Sequence, residues 1–200
     1  ILAAASGTRS PDVALIRVAW AQNAYKKGLV APLTKYWEQS SLRNLTFFHT
    51  ASLLGESEGV LYALPRALEA YTIIYNLEMF EGAGLDPDPE AILSWNDLVA
   101  AARRLHRTTG TGEVRVAGFT TGLNAPLFAS WLYANGGQFY NEDFTRVVFD
   151  SPQGRETIEF LADLMAQRLG GLSGIQEFHA GNVAMMTHQL PGGPVLNDAP

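Results

Sequence analysis

The chain has 200 residues, 47% hydrophobic and 17% charged, with a formal net charge of −6 at pH 7. That balance describes an ordinary globular chain, neither disordered nor fibrous, and it argues against a nucleic-acid partner, which requires a basic face to neutralise phosphates. Cysteine is absent, which excludes disulfides, thiolate metal sites and cysteine nucleophiles.

Residues 1–6 read as the tail of a helix stopped at Gly7. After Pro11-Asp12 the apolar run VALIRVAW (13–20) fits a buried parallel strand that ends at Trp20. Residues 22–27 form a helical turn stopped by Gly28, and 33–41 a further helix with Tyr36 and Trp37 on or near its buried face. Strands are expected at 60–64 and 72–75, with a Pro-punctuated crossing between them, then a helix at 77–82 closed by Gly84. Ser94 suits the N-cap of a helix over 95–106, in which Leu98, Ala101, Ala102 and Leu105 recur at helical spacing. A strand at 114–119 precedes an apolar helix at 125–135 ended by Gly136-Gly137. A short strand at 146–149 leads to Ser151-Pro152, which caps a helix over 153–169. A helical turn at 177–181 and a strand at 183–187 follow.

Strands alternating with helices predict an α/β fold with largely parallel sheets. No apolar run approaches the length of a membrane span. The chain opens inside a helix and stops at NDAP just after a strand, as expected of part of a longer protein whose first lobe lacks its opening strand.

The histidines His49, His106, His179 and His188 form no HxH or HExxH pair, so no metal site is expected. His106, ending an Arg-rich helix, is expected at the surface. His188 differs, because it follows a buried strand at the end where open α/β sheets bind ligands. No GxSxG elbow is present, and Ser130 lies inside an apolar helix. TGTGEV and NGGQF match neither a P-loop nor a dinucleotide fingerprint, and no cofactor is expected. The aromatics point elsewhere. Trp20 at a strand end, and Tyr71 beside Arg66 and Glu69 at the crossing, combine ring faces with charged groups in the manner of a carbohydrate cleft. Trp95 and Trp131, among apolar neighbours at helical spacing, are assigned to the core. Arg66 leaves room for an anionic solute, because a guanidinium pairs well with phosphate or carboxylate.

Several segments carry a resemblance. SGTRSPDV, AYKKGLVAPL, EGVLYALP with YTIIYNLEMFEGAGLDPDP, SWNDLVAAARRL, WLYANGG with FDSPQGRETIEFLADLM, and EFHAGNVAMM occur in this order. In that order they resemble the extracellular solute-binding proteins of ABC transporters, of the maltose-binding, carbohydrate-importing type. The resemblance implies a two-lobed periplasmic-binding-protein fold (type II), of which this chain lacks the first strands and the C-terminal part. It implies an N-terminal lobe within 1–68, a hinge crossing at 69–75 and a C-terminal lobe over 76–200. It further implies binding of a sugar, polyol or sugar phosphate in an interlobe cleft, closure by hinge motion without covalent chemistry, and delivery to the permease subunits of an ABC importer. Such a protein is a monomer at full length and works in the periplasm or outside the cell, free or lipid-anchored to the outer face of the cytoplasmic membrane.

Carried over residue by residue, the resemblance places Trp20 at a ligand-facing position, with Gln22 and Asn23 just after it. Arg66 and Tyr71 flank Glu69, which falls where maltose-binding members use a glutamate on sugar hydroxyls. Asn124 stands where those members carry another ligand-binding glutamate. His188 and Gln189 follow the AMM strand, where relatives place polar or aromatic contacts, and QLPGGP replaces the usual Gly-Pro-Trp after it. A glycan-active hydrolase and a solute-sensing domain of a signalling protein are the alternatives.

Overall fold

The computed structural model describes residues 11–44, 55–66, 70–141, 146–167, 169 and 174–190. Chain contacts divide it into two compact units, one within 1–68 and the other within 69–193.

In the first unit, helix α1 spans Val18–Lys26 and helix α2 spans Thr34–Glu38. Strands β1 (Glu56–Ser57) and β2 (Val60–Leu61) form a hairpin whose two-residue turn, Glu58-Gly59, holds both residues at positive φ (53° and 76°). Such a turn matches the twist of the strands it joins. The hairpin docks on α2: the Leu33 amide donates to the Leu61 carbonyl at 2.6 Å, and the Leu61 amide to Thr34 Oγ1 at 2.9 Å. Tyr25 of α1 stacks on Tyr62 with ring centroids 4.9 Å apart, and burial pushes the Tyr62 phenol above its usual pKa.

The expected strand at 13–20 is not formed. Residues 13–17 have no regular structure, Val13 and Leu15 are 89% and 75% exposed, and the chain turns helical from Val18. Ala21 and Ala24, buried one turn apart, are the face that decides for helix. The helix at 33–41 shortens to α2, with Tyr36 at 69% exposure turned outward and Trp37 half-buried. The strand at 60–64 shortens to β2, because β1 offers only two residues to pair with.

The second unit contains β3 (Ala70–Tyr75), α3 (Leu77–Gly82), a 3-10 turn at Pro89–Ala91 and α4 (Trp95–Leu105). There follow β4 (Arg107–Thr108), β5 (Val114–Val116), α5 (Ala125–Ala134), α6 (Pro152–Ala166), α7 (Ile175–His179) and β6 (Met185–Leu190). The main helices start where the sequence places a cap: Asn76, Ser94, Asn124 and Ser151 each accept a first-turn amide with their side chains. α4 buries Leu98, Ala101, Ala102 and Leu105 in a core shared with Phe80, Phe119, Trp131 and Met185. Trp131 lies in this core and Trp95 packs against it, stacked on Phe160 at 4.1 Å.

The sheet is more antiparallel than expected. β3 pairs with β6 over its whole length in antiparallel register, as do β4 with β5. The parallel component is the contact of 117–120 with 183–187, where Ala117 lies beside Val183 and Thr120 beside Met186. The strand expected at 146–149 is a single bridge, Val147 to Tyr140. His106 is less exposed than expected: it ends α4 half-buried, with Nδ1 sequestered from solvent and without a partner among the described residues.

Candidate binding site

Two segments flank β6 and converge at one end of the sheet. On one side the backbone of 117–120 climbs alongside 182–187 through Ala117 N to Asn182 O, Ala184 N to Ala117 O, Thr120 N to Met185 O and Thr187 N to Thr120 O, all 2.9–3.0 Å. On the other side Tyr71 lies opposite Gln189 and Thr72 opposite His188. The carboxyl ends of parallel strands are where open α/β sheets receive ligands. The register therefore brings Tyr71, His188 and Gln189 to the end from which the chain leaves Thr120 for Asn124.

Side-chain bonds continue where the backbone ladder stops. Thr187 Oγ1 donates to Thr121 Oγ1 at 2.8 Å, and Trp131 Nε1 donates to the same oxygen at 3.4 Å. Thr121 is 2% exposed. Beyond this junction Asn124 caps α5: its Oδ1 accepts the Leu127 amide at 3.0 Å. The exposed Asn124 thus spends an acceptor on the helix and keeps its Nδ2 donors free among the described residues. Next to it a cavity of about 410 Å³ opens between Gly122, Leu123, Asn124 and Phe128 on one side and Ile158 and Leu161 of α6 on the other. A smaller cavity of about 220 Å³, bounded by Met79, Leu105, Arg107 and Val116, touches none of the predicted site residues.

Four predicted site residues, Tyr71, Asn124, His188 and Gln189, thus fall in the second unit on the elements just described. Tyr71 and His188 are half-buried, and Asn124 and Gln189 exposed. Trp20, Gln22, Asn23 and Arg66 lie in the first unit. Trp20 ends no strand; it occupies the first turn of α1 at 61% exposure, with Gln22 and Asn23 exposed further along the same helix. Arg66 is exposed beyond β2. Glu69 lies outside the described residues. Sequence reasoning missed Thr121 and Thr187. The available signal was a pair of hydroxyl residues, Thr120-Thr121, at the end of one strand and a threonine just before His188 in another.

The groups at this sheet end and at the turn beyond Thr120 are hydrogen-bonding side chains: two amides, an imidazole and a phenol. They can donate to and accept from hydroxyls. No cluster of acidic and histidine side chains able to hold a metal ion lies among the described residues. No helix there is long and apolar enough to cross a membrane.

The sequence pattern of the family described as bacterial extracellular solute-binding protein matches residues 1–185. An arabinooligosaccharide-binding protein of Halalkalibacterium halodurans is 28% identical over 167 residues, which are 82% of this chain and 35% of that protein. Among solved structures, an ABC substrate-binding protein from Listeria monocytogenes in complex with cycloalternan superposes with a TM-score of 0.73 at 26% identity, over 90% of this chain and 47% of the other. A Mycobacterium tuberculosis protein in complex with glycerophosphocholine superposes with a TM-score of 0.78 at 22% identity, over 94% of this chain and 49% of the other, a likeness of fold. The chain therefore spans about half the length of these structures and 35% of the curated relative.

Proposed function

We propose, since the chain belongs to the bacterial extracellular solute-binding protein family, that the full-length protein is the substrate-binding component of an ABC importer for a sugar or a related polyol or sugar phosphate. The observation that carries the sugar reading is the convergence of Tyr71, His188 and Gln189 with the Asn124 turn at one sheet end, where hydrogen-bond donors and acceptors match the hydroxyls of a carbohydrate. Trp20, Gln22, Asn23, Arg66 and Glu69 are the further solute contacts in this reading, Trp20 by ring stacking and Arg66 by pairing with an anionic substituent where the solute carries one. Residues 1–68 and 76–200 contribute to separate lobes and 69–75 to the crossing that joins them. The protein acts without covalent chemistry, as a monomer in the periplasm or at the outer face of the cytoplasmic membrane, and hands its solute to the permease subunits. The similarity to an arabinooligosaccharide-binding protein, and to structures holding cycloalternan and glycerophosphocholine, supports a hydroxyl-rich solute.

A thermal-shift panel of oligosaccharides, monosaccharides, polyols, sugar phosphates and glycerophosphodiesters, run on the full-length protein, tests this reading. A solute that binds only the native state raises the melting temperature by mass action, with stabilisation of about 2.7 kcal/mol at a concentration one hundred times Kd. A rise with one class of compound is expected. A cooperative melt unmoved by every member overturns the reading.

A further inference from the structure

We propose that Thr121 is a positioning residue for solute binding, one buried oxygen that ties the strand bearing His188 and Gln189 to the helix that Asn124 caps; the proposal rests on the solute-binding reading above. The backbone ladder between 117–120 and 182–187 ends at the bond from the Thr187 amide to the Thr120 carbonyl. There the two chains fork. One goes through Gly122 to Asn124 and into α5; the other continues as β6 to His188 and Gln189. No further backbone rung joins the two branches among the described residues. What joins them is Thr121 Oγ1. It accepts from Thr187 Oγ1 at 2.8 Å, immediately before His188, and from Trp131 Nε1 at 3.4 Å, on the helix that Asn124 caps.

The oxygen is placed to be effective. Thr121 and Trp131 are 2% and 7% exposed and Thr187 is half-buried, so the shared acceptor is sequestered from water, and a donor that loses it must move to find another. Relaxation of Thr187 shifts the strand end that carries His188. Relaxation of Trp131 shifts α5 and with it the cap at Asn124. Thr121 itself, buried beneath this end of the sheet, needs no contact with solute. Its effect on affinity comes from the spacing it imposes on residues that do make contact, where an ångström of misplacement is costly.

Thr121→Val keeps the shape and removes the acceptor from both donors; Thr121→Ser keeps the acceptor. Both variants are made in the full-length protein and measured in two ways. Hydrogen–deuterium exchange reports the amides of 123–128 and 187–190, and calorimetry reports the affinity for whichever of arabinotriose, maltotriose and glycerophosphocholine the unmodified protein binds. For Thr121→Val the expected result is faster exchange in both segments together and affinity weaker by about tenfold, with Thr121→Ser close to the unmodified protein in both respects. Unchanged affinity in Thr121→Val, with a lowered melting temperature, makes Thr121 a purely structural residue and overturns the proposal while leaving the reading intact. Faster exchange in one segment alone also overturns it. Where none of the three binds, the same measurements use whichever member of the thermal-shift panel does, and failure of the unmodified protein to bind any member of the panel overturns the reading and the proposal with it.

Discussion

His188 is the side chain whose removal separates binding from folding most cleanly. It is half-buried at the end of β6, opposite Thr72, and belongs to no core cluster. His188→Ala is expected to weaken solute binding by about tenfold, the loss of one net hydrogen bond of roughly 1–1.5 kcal/mol. The melting temperature of the solute-free protein should stay within about a degree or two of the unmodified value, since no core packing is lost. Calorimetry beside a thermal melt checks both. Asp97 illustrates the opposite case, a residue of stability alone. Its carboxyl is held below the usual range by the hydroxyl of Ser94, which donates to it at 2.6 Å; desolvation opposes this, and backbone hydrogen bonds from Ser94 and Leu93 add to the lowering. A carboxyl with a depressed folded-state pKa stabilises the fold above its unfolded-state pKa, and that stability is lost as pH falls through the folded value. Asp97→Asn should therefore flatten the acid limb of a plot of melting temperature against pH, and leave the neutral region less stable than the unmodified protein.

At the scale of elements, helices were more legible than strands, whose positions at 72–75, 114–119 and 183–187 were found but whose extents and pairing were not, for a physical reason. A helix satisfies its own backbone, and its start is written locally: Asn76, Ser94, Asn124 and Ser151 stand at the observed caps. A strand exists only if another chain segment pairs with it. VALIRVAW has strand composition but no partner among the described residues, so Val13 and Leu15 stay exposed and Val18 onward coils into α1. β6 reaches Leu190 because β3 runs antiparallel along it, a pairing between segments more than a hundred residues apart (Ala70 with Leu190) that no local pattern records. The candidate site inherits this split. His188, Gln189 and Asn124 were read from their positions after a strand or before a helix, whereas the Thr121–Thr187 bond depends on the register between two strands. The same register forces a close approach elsewhere. A Cβ on Gly118 would stand 1.9 Å from the Ala102 carbonyl oxygen of α4. Gly118→Ala must push strand from helix and is expected to cost roughly 1–3 kcal/mol, seen as a lowered midpoint in denaturant titration.

For the whole molecule, the family pattern extends over residues 1–185, nearly the full chain. The composition was informative mainly by exclusion: a net charge of −6 argues against a nucleic-acid partner, and the absence of cysteine excludes disulfides and thiolate metal sites. The thermal-shift experiment draws on the whole chain, because stabilisation by a bound solute is set by native-state affinity and concentration alone. Once the solute is in excess, each tenfold increase in its concentration should add about 1.4 kcal/mol of stability. A plot of that kind distinguishes site binding from a non-specific effect of sugar on the solvent.

In the proposed site Asn124 is a helix cap and a solute contact at once, and this bears on how such a protein would change its diet. Because Oδ1 closes the first turn of α5, a substitution at this position must still terminate a helix before it can greet a ligand. The short polar residues Asn, Asp, Ser and Thr do this well, so the alphabet open to drift is a handful of letters. Each letter sets a different hand of donors and acceptors toward the solute. New tastes at this corner would arrive in discrete steps, each one a swap between caps.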